Sequence, residues 1–341
     1  SILLFCNNLL PNTILNDNVI GFKIENQITD TNYPPIPPSI INDKYFFGSI
    51  FIKQDFNNDG LADYFFTGTM KPENIKVTGE DVMGLCGGKK CKGNLTSPSL
   101  FLGIDDGRYL LSDELLIDNR AEPGQSLGRQ ILVADFNNDK IKDIFIADTA
   151  IGKQAQKGFR DTYFLSQSNG TWLESSETHL SKKNYVIFDH GAAVGDIDND
   201  GDVDIVLSEL KNKISCWIND GSGKMKLKKC GTIKNAFGIE LGDIDNDGDL
   251  DLVYAGHENR GSTDTGVALN NGKGKFEQKI KLKMIPKWST VPEVSLWDLD
   301  NDNDLDIVLS RSGILYVGVG VQILENLGNK KFRSQFFKLL E

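Results

Sequence analysis

The chain has 341 residues, 39% hydrophobic and 25% charged, a balance that excludes a wholly disordered polypeptide. With 37 Lys+Arg against 48 Asp+Glu the formal charge is -11, which argues against nucleic acid and anionic membrane as partners. No apolar run approaches the roughly 20 residues of a membrane-spanning helix, and three histidines (His179, His190, His257) leave little for a His-rich zinc site.

Residues 1–47 fit no repeat. They hold strand-like pieces at Ile2–Phe5 and Val19–Ile24 and a proline cluster (Pro34, Pro35, Pro37, Pro38), and they read as a degenerate blade or a ring-closing arm. From residue 48 the chain repeats itself five times, near 48–113, 129–174, 191–230, 237–283 and 293–341. Each repeat opens with a short apolar stretch: Ile50–Ile52, Ile131–Ala134, Ala192–Val194, Gly238–Leu241, Val294–Trp297. A nine-residue acidic segment follows, DFNNDGLAD at 55–63, DFNNDKIKD at 135–143, DIDNDGDVD at 196–204, DIDNDGDLD at 243–251 and DLDNDNDLD at 298–306. A second apolar stretch comes next: Tyr64–Phe66, Ile144–Ala147, Ile205–Leu207, Leu252–Ala255, Ile307–Leu309. Further on, each repeat carries a hairpin signal, at 101–112, 164–173, 217–227, 268–278 and 323–332. Four antiparallel strands in about 50–60 residues make one propeller blade. The expected fold is therefore all-β, a β-propeller of four-stranded antiparallel blades. Five blades carry acidic loops, and a degenerate sixth completes the count, with five and seven as alternatives.

Carboxylates two residues apart repel one another on a strand, and Asp is a poor strand former. A hard cation offsets both effects, because Ca²⁺ takes about 6–8 oxygens from a tightly curled loop. Side chains at positions 1, 3 and 5 supply some of them: Asp55, Asn57 and Asp59; Asp135, Asn137 and Asp139; Asp196, Asp198 and Asp200; Asp243, Asp245 and Asp247; Asp298, Asp300 and Asp302. Position 7 supplies a backbone carbonyl, from Leu61, Ile141, Asp202, Asp249 and Asp304. Position 9 closes the shell with both carboxylate oxygens, from Asp63, Asp143, Asp204, Asp251 and Asp306. The sharp turn at position 6 suits Gly60, Gly201 and Gly248. Asn303 tolerates it, and Lys140 does not fit. An EF-hand is excluded, since its twelfth residue is Glu and here the twelfth residues are Phe66, Ile146, Leu207, Tyr254 and Leu309. The loops hold 21 of the 48 acids, so five Ca²⁺ would bring the formal charge to about -1 and the acidity belongs to metal sites.

Repeats of the form D-x-[DN]-x-D-G-x-x-D, followed by an apolar strand and an LNNGxGxF-like hairpin, resemble the FG-GAP/VCBS repeats of integrin α-subunit propellers, lectins and secreted bacterial proteins. The resemblance spans about residues 48–341. It implies a calcium-bearing propeller in a secreted, extracellular, cell-surface or periplasmic setting, and it does not imply one function. The departures are Lys140 and Asn303 at the glycine position.

Five cysteines add to the compartment argument. Cys86 and Cys91 bracket GGKK and could close a small loop under oxidising conditions. Cys216 and Cys230 flank the 219–223 turn, but a register matched to the 271–274 turn sets Cys216 opposite Leu227, with Cys230 on the other face unless a bulge intervenes. Cys6 follows SILLF, which resembles the tail of an export signal; it reads as an unpaired or intermolecular thiol, with a lipid-bearing cysteine as the alternative that Phe5 disfavours. Asn94 and Asn169 open glycosylation sequons.

Strand alternation puts the acidic loops and tight hairpins on one face. The long connections 67–99, 113–129, 148–161, 174–191, 256–266 and 284–292 fall on the other. Ligand contact is expected there, among residues that include Arg120, Arg129, Arg160, His190, His257, Arg260 and Trp288. The chain lacks HExxH and Walker-type motifs. It therefore reads as a non-catalytic calcium-stabilised module for protein or glycan binding or adhesion, open to a larger surface assembly. A calcium-assisted polysaccharide lyase, or an accessory domain of one, is the alternative.

Overall fold

A computed structural model describes residues 28–30, 51–68, 70–72, 93–105, 107–149, 159–181, 186–187, 189–209, 213–258, 264–313 and 317–340. Cys6, Cys86, Cys91, Arg260, the proline cluster and the strand-like pieces at Ile2–Phe5 and Val19–Ile24 lie outside the described residues.

Among the described residues the regular secondary structure is almost entirely β-strand. Five antiparallel sheets follow one another, and each runs in sequence order from its first strand to its fourth. The first contains Phe51–Gln54, Asp63–Phe66, Ser99–Asp105 and Arg108–Leu111, and Ile28–Asp30 adds a fifth strand beside Arg108–Leu111. The second contains Gly128–Ala134, Asp143–Asp148, Thr162–Ser166 and Trp172–Glu174, with Leu116–Ile117 pairing in parallel at its edge. The third contains Asp189–Gly195, Asp204–Glu209, Lys213–Asn219 and Met225–Lys234. The fourth contains Ala236–Gly242, Asp251–Gly256, Gly266–Leu269 and Gln278–Lys281, and the fifth Thr290–Trp297, Asp306–Ser312, Val319–Asn326 and Phe332–Leu340. This meander is the unit of a β-propeller. The first two sheets belong to one compact unit and the last three to another. Among the described residues no helix is long and apolar enough to cross a membrane.

The second strand of every sheet is its driest, as the apolar run after each acidic segment requires. Ile144–Ile146, Ile205–Leu207 and Leu252–Val253 have no exposed surface to speak of. Within the first unit Phe56, Phe65, Ile144, Phe164 and Trp172 form one cluster. Within the second, Ile197, Val206 and Cys216 pack with Ile239, Leu252 and Phe276 of the next sheet, and Ile244 and Val253 pack with Val294, Ile307 and Leu324 of the one after. Burying each such side chain is worth about 1.5–3 kcal/mol, so sheet-on-sheet packing is a large stabilising contribution. The first strands approach too closely for side chains on both: a Cβ added to Gly191 would lie 2.8 Å from the carbonyl oxygen of Phe237.

Cys216 and Cys230 form a disulfide, with Cα atoms 5.9 Å apart. The expected register is corrected by one residue: Cys216 pairs with Lys228, and Leu227 stands opposite Trp217. With that register Cys230 stands two residues beyond Lys228 and so lies on the same buried face as Cys216. The expectation failed at the turn itself, where Asn219 pairs with Met225 and offsets the whole hairpin by one residue.

Candidate metal centre

All five acidic segments join the first strand to the second, with one register throughout. Position 9 begins the second strand and pairs with the residue before position 1, as Gln54 with Asp63, Ala134 with Asp143, Gly195 with Asp204, Gly242 with Asp251 and Trp297 with Asp306. The intervening residues curl around their own carboxylates. The position 1 side chain accepts the backbone N–H of positions 5 and 6, Asp196 from Asp200 at 3.2 Å and Gly201 at 2.9 Å, and Asp243 from Asp247 at 3.1 Å and Gly248 at 2.9 Å. Position 5 accepts the N–H of position 7, as Asp200 does from Asp202 at 3.0 Å. The loops at Asp55, Asp135 and Asp298 repeat these bonds.

Two backbone positions are left-handed in every loop. Position 6 was anticipated, and Lys140 adopts it at φ 70° although it is neither Gly nor Asn. Position 4 was not: Asn58, Asn138, Asn199, Asn246 and Asn301 all lie between φ 57° and 62°. The signal was available, since Asn fills position 4 in all five segments and tolerates this conformation better than other side chains that carry a Cβ. These asparagines also reach neighbouring loops. Asn58 Nδ2 donates to the carbonyl of Lys140 at 3.1 Å, Asn199 Nδ2 to Asp249 Oδ1 at 2.6 Å, and Asn246 Nδ2 to Asp304 Oδ1.

Position 9 fastens the loop to the rest of the sheet. Asp63, Asp143, Asp204, Asp251 and Asp306 are buried, and each holds two backbone amides. One belongs to position 2 of its own loop and the other to the end of the third strand; Asp204 takes Ile197 at 3.2 Å and Asn219 at 2.8 Å. The same pair of bonds occurs at Asp63, Asp143, Asp251 and Asp306. Burial, opposed by these hydrogen bonds and reinforced by neighbouring loop acids, pushes the carboxyls of Asp63 and Asp143 up to about 6. It pushes Asp204 and Asp251 up to about 7.

Position 3 divides the loops into two kinds. Asn57 and Asn137 donate to the position 5 carboxylates Asp59 and Asp139, at 2.8 and 3.1 Å, and accept the position 5 N–H, so these loops satisfy themselves. Asp198 and Asp245 cannot donate. Their Oδ1 atoms are buried without a hydrogen-bond partner, and Asp198 is raised above the usual carboxylate range by burial and by Asp200. Carboxylate oxygens of Asp196, Asp198 and Asp204 lie within 4.8 Å of one another, as do those of Asp243, Asp245 and Asp251 and of Asp298, Asp300 and Asp302. Two carboxylates about 4 Å apart oppose each other by about 1–4 kcal/mol, depending on the local dielectric. Lys330 of the fifth sheet already sits 3.3 Å from Asp245 Oδ2. An all-oxygen set with orphaned carboxylate oxygens suits a hard cation, which would neutralise the mutual repulsion.

The residues of the long connections are mostly engaged. Arg120 is buried against Asp118, at 2.6 Å, and Glu174, at 3.4 Å. Arg311, absent from the sequence-derived candidates, is buried against Glu258 at 3.0 Å and also binds Gln322 and the carbonyl of Trp288. Arg160 donates to the carbonyl of Glu122 and lies over Phe159, while Arg129 also makes contacts. His190 and His257 flank Phe237 at ring separations of 3.9 and 4.3 Å, and Trp288 packs on Phe336. Asn169 is exposed in its turn and accepts from Thr171.

No curated protein matches the sequence. Among solved structures the chain is similar to a Bifidobacterium bifidum s17 protein described as an exo-β-1,3-galactanase, at 11% identity and TM-score 0.44, over 84% of this chain and 90% of that one. It is also similar to AofleA from Arthrobotrys oligospora, at 9% identity and TM-score 0.40, over 86% and 88%. Likeness at that level carries no argument about activity. The sequence profile of the FG-GAP-like repeat is another matter: it matches three consecutive, overlapping stretches, 135–207, 196–254 and 243–309, each running from one acidic loop through the strand after the next. The chain belongs to the FG-GAP-like repeat family.

Proposed function

We propose that this chain is a calcium-stabilised propeller module of a secreted or surface-exposed protein, which binds a protein or glycan through the face opposite its acidic loops. The observation that carries the calcium reading is the pair of orphaned buried oxygens on Asp198 and Asp245 inside three-carboxylate clusters. In the loops at 196–204, 243–251 and 298–306 the ion would be held by the carboxylates of positions 1, 3, 5 and 9 and by the position 7 carbonyl. In the loops at 55–63 and 135–143 an Asn oxygen would replace one carboxylate, which makes five ions in all. Calcium supplies charge neutralisation, and the chain's own residues do the rest: position 9 locks the loop to the third strand, and position 1 fixes its curl. The Cys216–Cys230 disulfide supports an oxidising compartment.

Binding is favoured over catalysis because the Arg side chains best suited to a lyase site, Arg120 and Arg311, are buried in ion pairs that brace the connections. A braced connection on a rigid sheet is suited to recognition. The test is a glycan array and a polysaccharide pull-down with and without Ca²⁺, run beside a cleavage assay on the same polymers. Calcium-dependent retention without new chain ends supports the proposal, and turnover supports the lyase.

A further inference from the structure

The position 4 asparagines do something no single loop requires. In the second unit the contacts form a chain: Asn199 of the third sheet's loop holds Asp249 of the fourth, and Asn246 of the fourth holds Asp304 of the fifth. Both acceptors stand at position 7. That residue's carbonyl is the proposed backbone ligand, while its side chain is no ligand in any loop. The side chain of Asp249 is also confined from behind, since a Cβ on Gly272 of the fourth sheet's own hairpin would lie 2.8 Å from its Oδ2. Gly221 stands in the same relation to Asp202. Asp249 thus offers its carboxylate to the preceding loop and its main chain to its own site.

We infer that Asn199 and Asn246 are positioning residues that couple neighbouring calcium loops, each ordering the backbone ligand of the next site. The inference rests on the calcium reading above and extends it. A loop that closes on an ion fixes its position 4 residue between ligands 3 and 5. The amide then holds the next loop's position 7 residue in place before that loop takes its own ion. The ordering is shared, so filling one site favours the next, and by linkage the effect runs both ways. The Asn58 bond to the Lys140 carbonyl makes an analogous link in the first unit.

Trp297 immediately precedes Asp298, so it can sensitise Tb³⁺ luminescence in the 298–306 loop, and a Trp297→Phe control isolates that share of the signal. The experiment titrates the full chain with Tb³⁺ and separately follows Ca²⁺ by calorimetry. It compares the unaltered protein with Asn246→Gly, which keeps the left-handed backbone and removes only the amide. The expected result is that half-filling of the 298–306 site moves to about fivefold higher Tb³⁺ in Asn246→Gly, although no ligand of that site has changed. Asp304→Ala should give the same shift. Asn246→Asp should give a larger one, because two carboxylates then face each other. Asn246→Asp combined with Asp304→Asn restores the hydrogen bond in reverse and should recover most of the affinity, which a general loss of structure would not do. Identical titrations of the unaltered chain and Asn246→Gly overturn the coupling and leave the calcium reading standing. Absence of any Tb³⁺ or Ca²⁺ binding by the unaltered chain overturns both.

Discussion

Raising the pH from 5 to 8 in excess chelator should lower the thermal midpoint of the second unit, and saturating calcium should reverse the trend. Asp204 and Asp251 carry the effect. Each is buried, and each titrates near 7 in the folded chain against 3.8 for the free side chain. A carboxyl raised by folding favours the folded state while protonated. Its contribution is complete below about pH 3.8 and is lost as the pH climbs through about 7. Linkage over that interval gives about 2–3 kcal/mol per group between pH 5 and 8, so about 5 kcal/mol for the two. At about 2–4 °C per kcal/mol for a unit of this size, the metal-free midpoint should fall by about 10–20 °C. A bound cation needs the carboxylates ionised, so the calcium-loaded chain should gain stability over the same interval. Circular dichroism melts at half-unit pH steps, in chelator and in calcium, measure both curves. A metal-free midpoint that stays level or rises between pH 5 and 8 would show that the position 9 carboxylates are no worse off buried than in water.

Asn270→Ala removes a buried amide that donates to Ile197 at 2.8 Å in the preceding sheet, and to Leu250 at 3.1 Å. It should lower stability by about 2–4 kcal/mol in urea denaturation; a change below about 0.5 kcal/mol would remove the amide from the sheet-to-sheet contact. Replacing Cys216 and Cys230 together by alanine should lose about 3 kcal/mol, as expected for opening a loop of this length, and alkylation without reduction should leave both cysteines of the unaltered chain unmodified. Lys140→Gly relieves a left-handed residue at φ 70° and removes a cation from the loop. Calcium should then bind the 135–143 site about fivefold more tightly; unchanged calorimetric affinity would show that turn conformation does not limit that site.

The repeat was legible because five acidic segments keep phase with their apolar flanks, and the curl of each loop follows from carboxylates that must accept nearby amides. Position 9 was read as a ligand alone. Its grip on Ile197 and Asn219, or on Ile244 and Asn270, joins residues 7 to 19 apart and needs the third strand in place before it can be seen. The asparagines at position 4 are visible in the sequence, but nothing local to one loop shows that their amides reach the next. The Arg311–Glu258 pair, 53 residues apart, has no local signature at all. Position 2 shows why a repeat does not fix its own surroundings. Phe56, Phe136 and Ile197 are fully buried, whereas Leu299 in the same place is 47% exposed, because burial there depends on what packs against the sheet.

In the proposed reading calcium holds these loops together. The most direct test is the thermal midpoint of the full chain at pH 7.5 in excess chelator, then with Ca²⁺ restored, then with Mg²⁺ instead. The midpoint should fall clearly on chelation and recover with Ca²⁺. Recovery with Mg²⁺ should be weaker, because Mg²⁺ demands a smaller octahedral shell than these loops supply. A melting curve unchanged by chelator would contradict it.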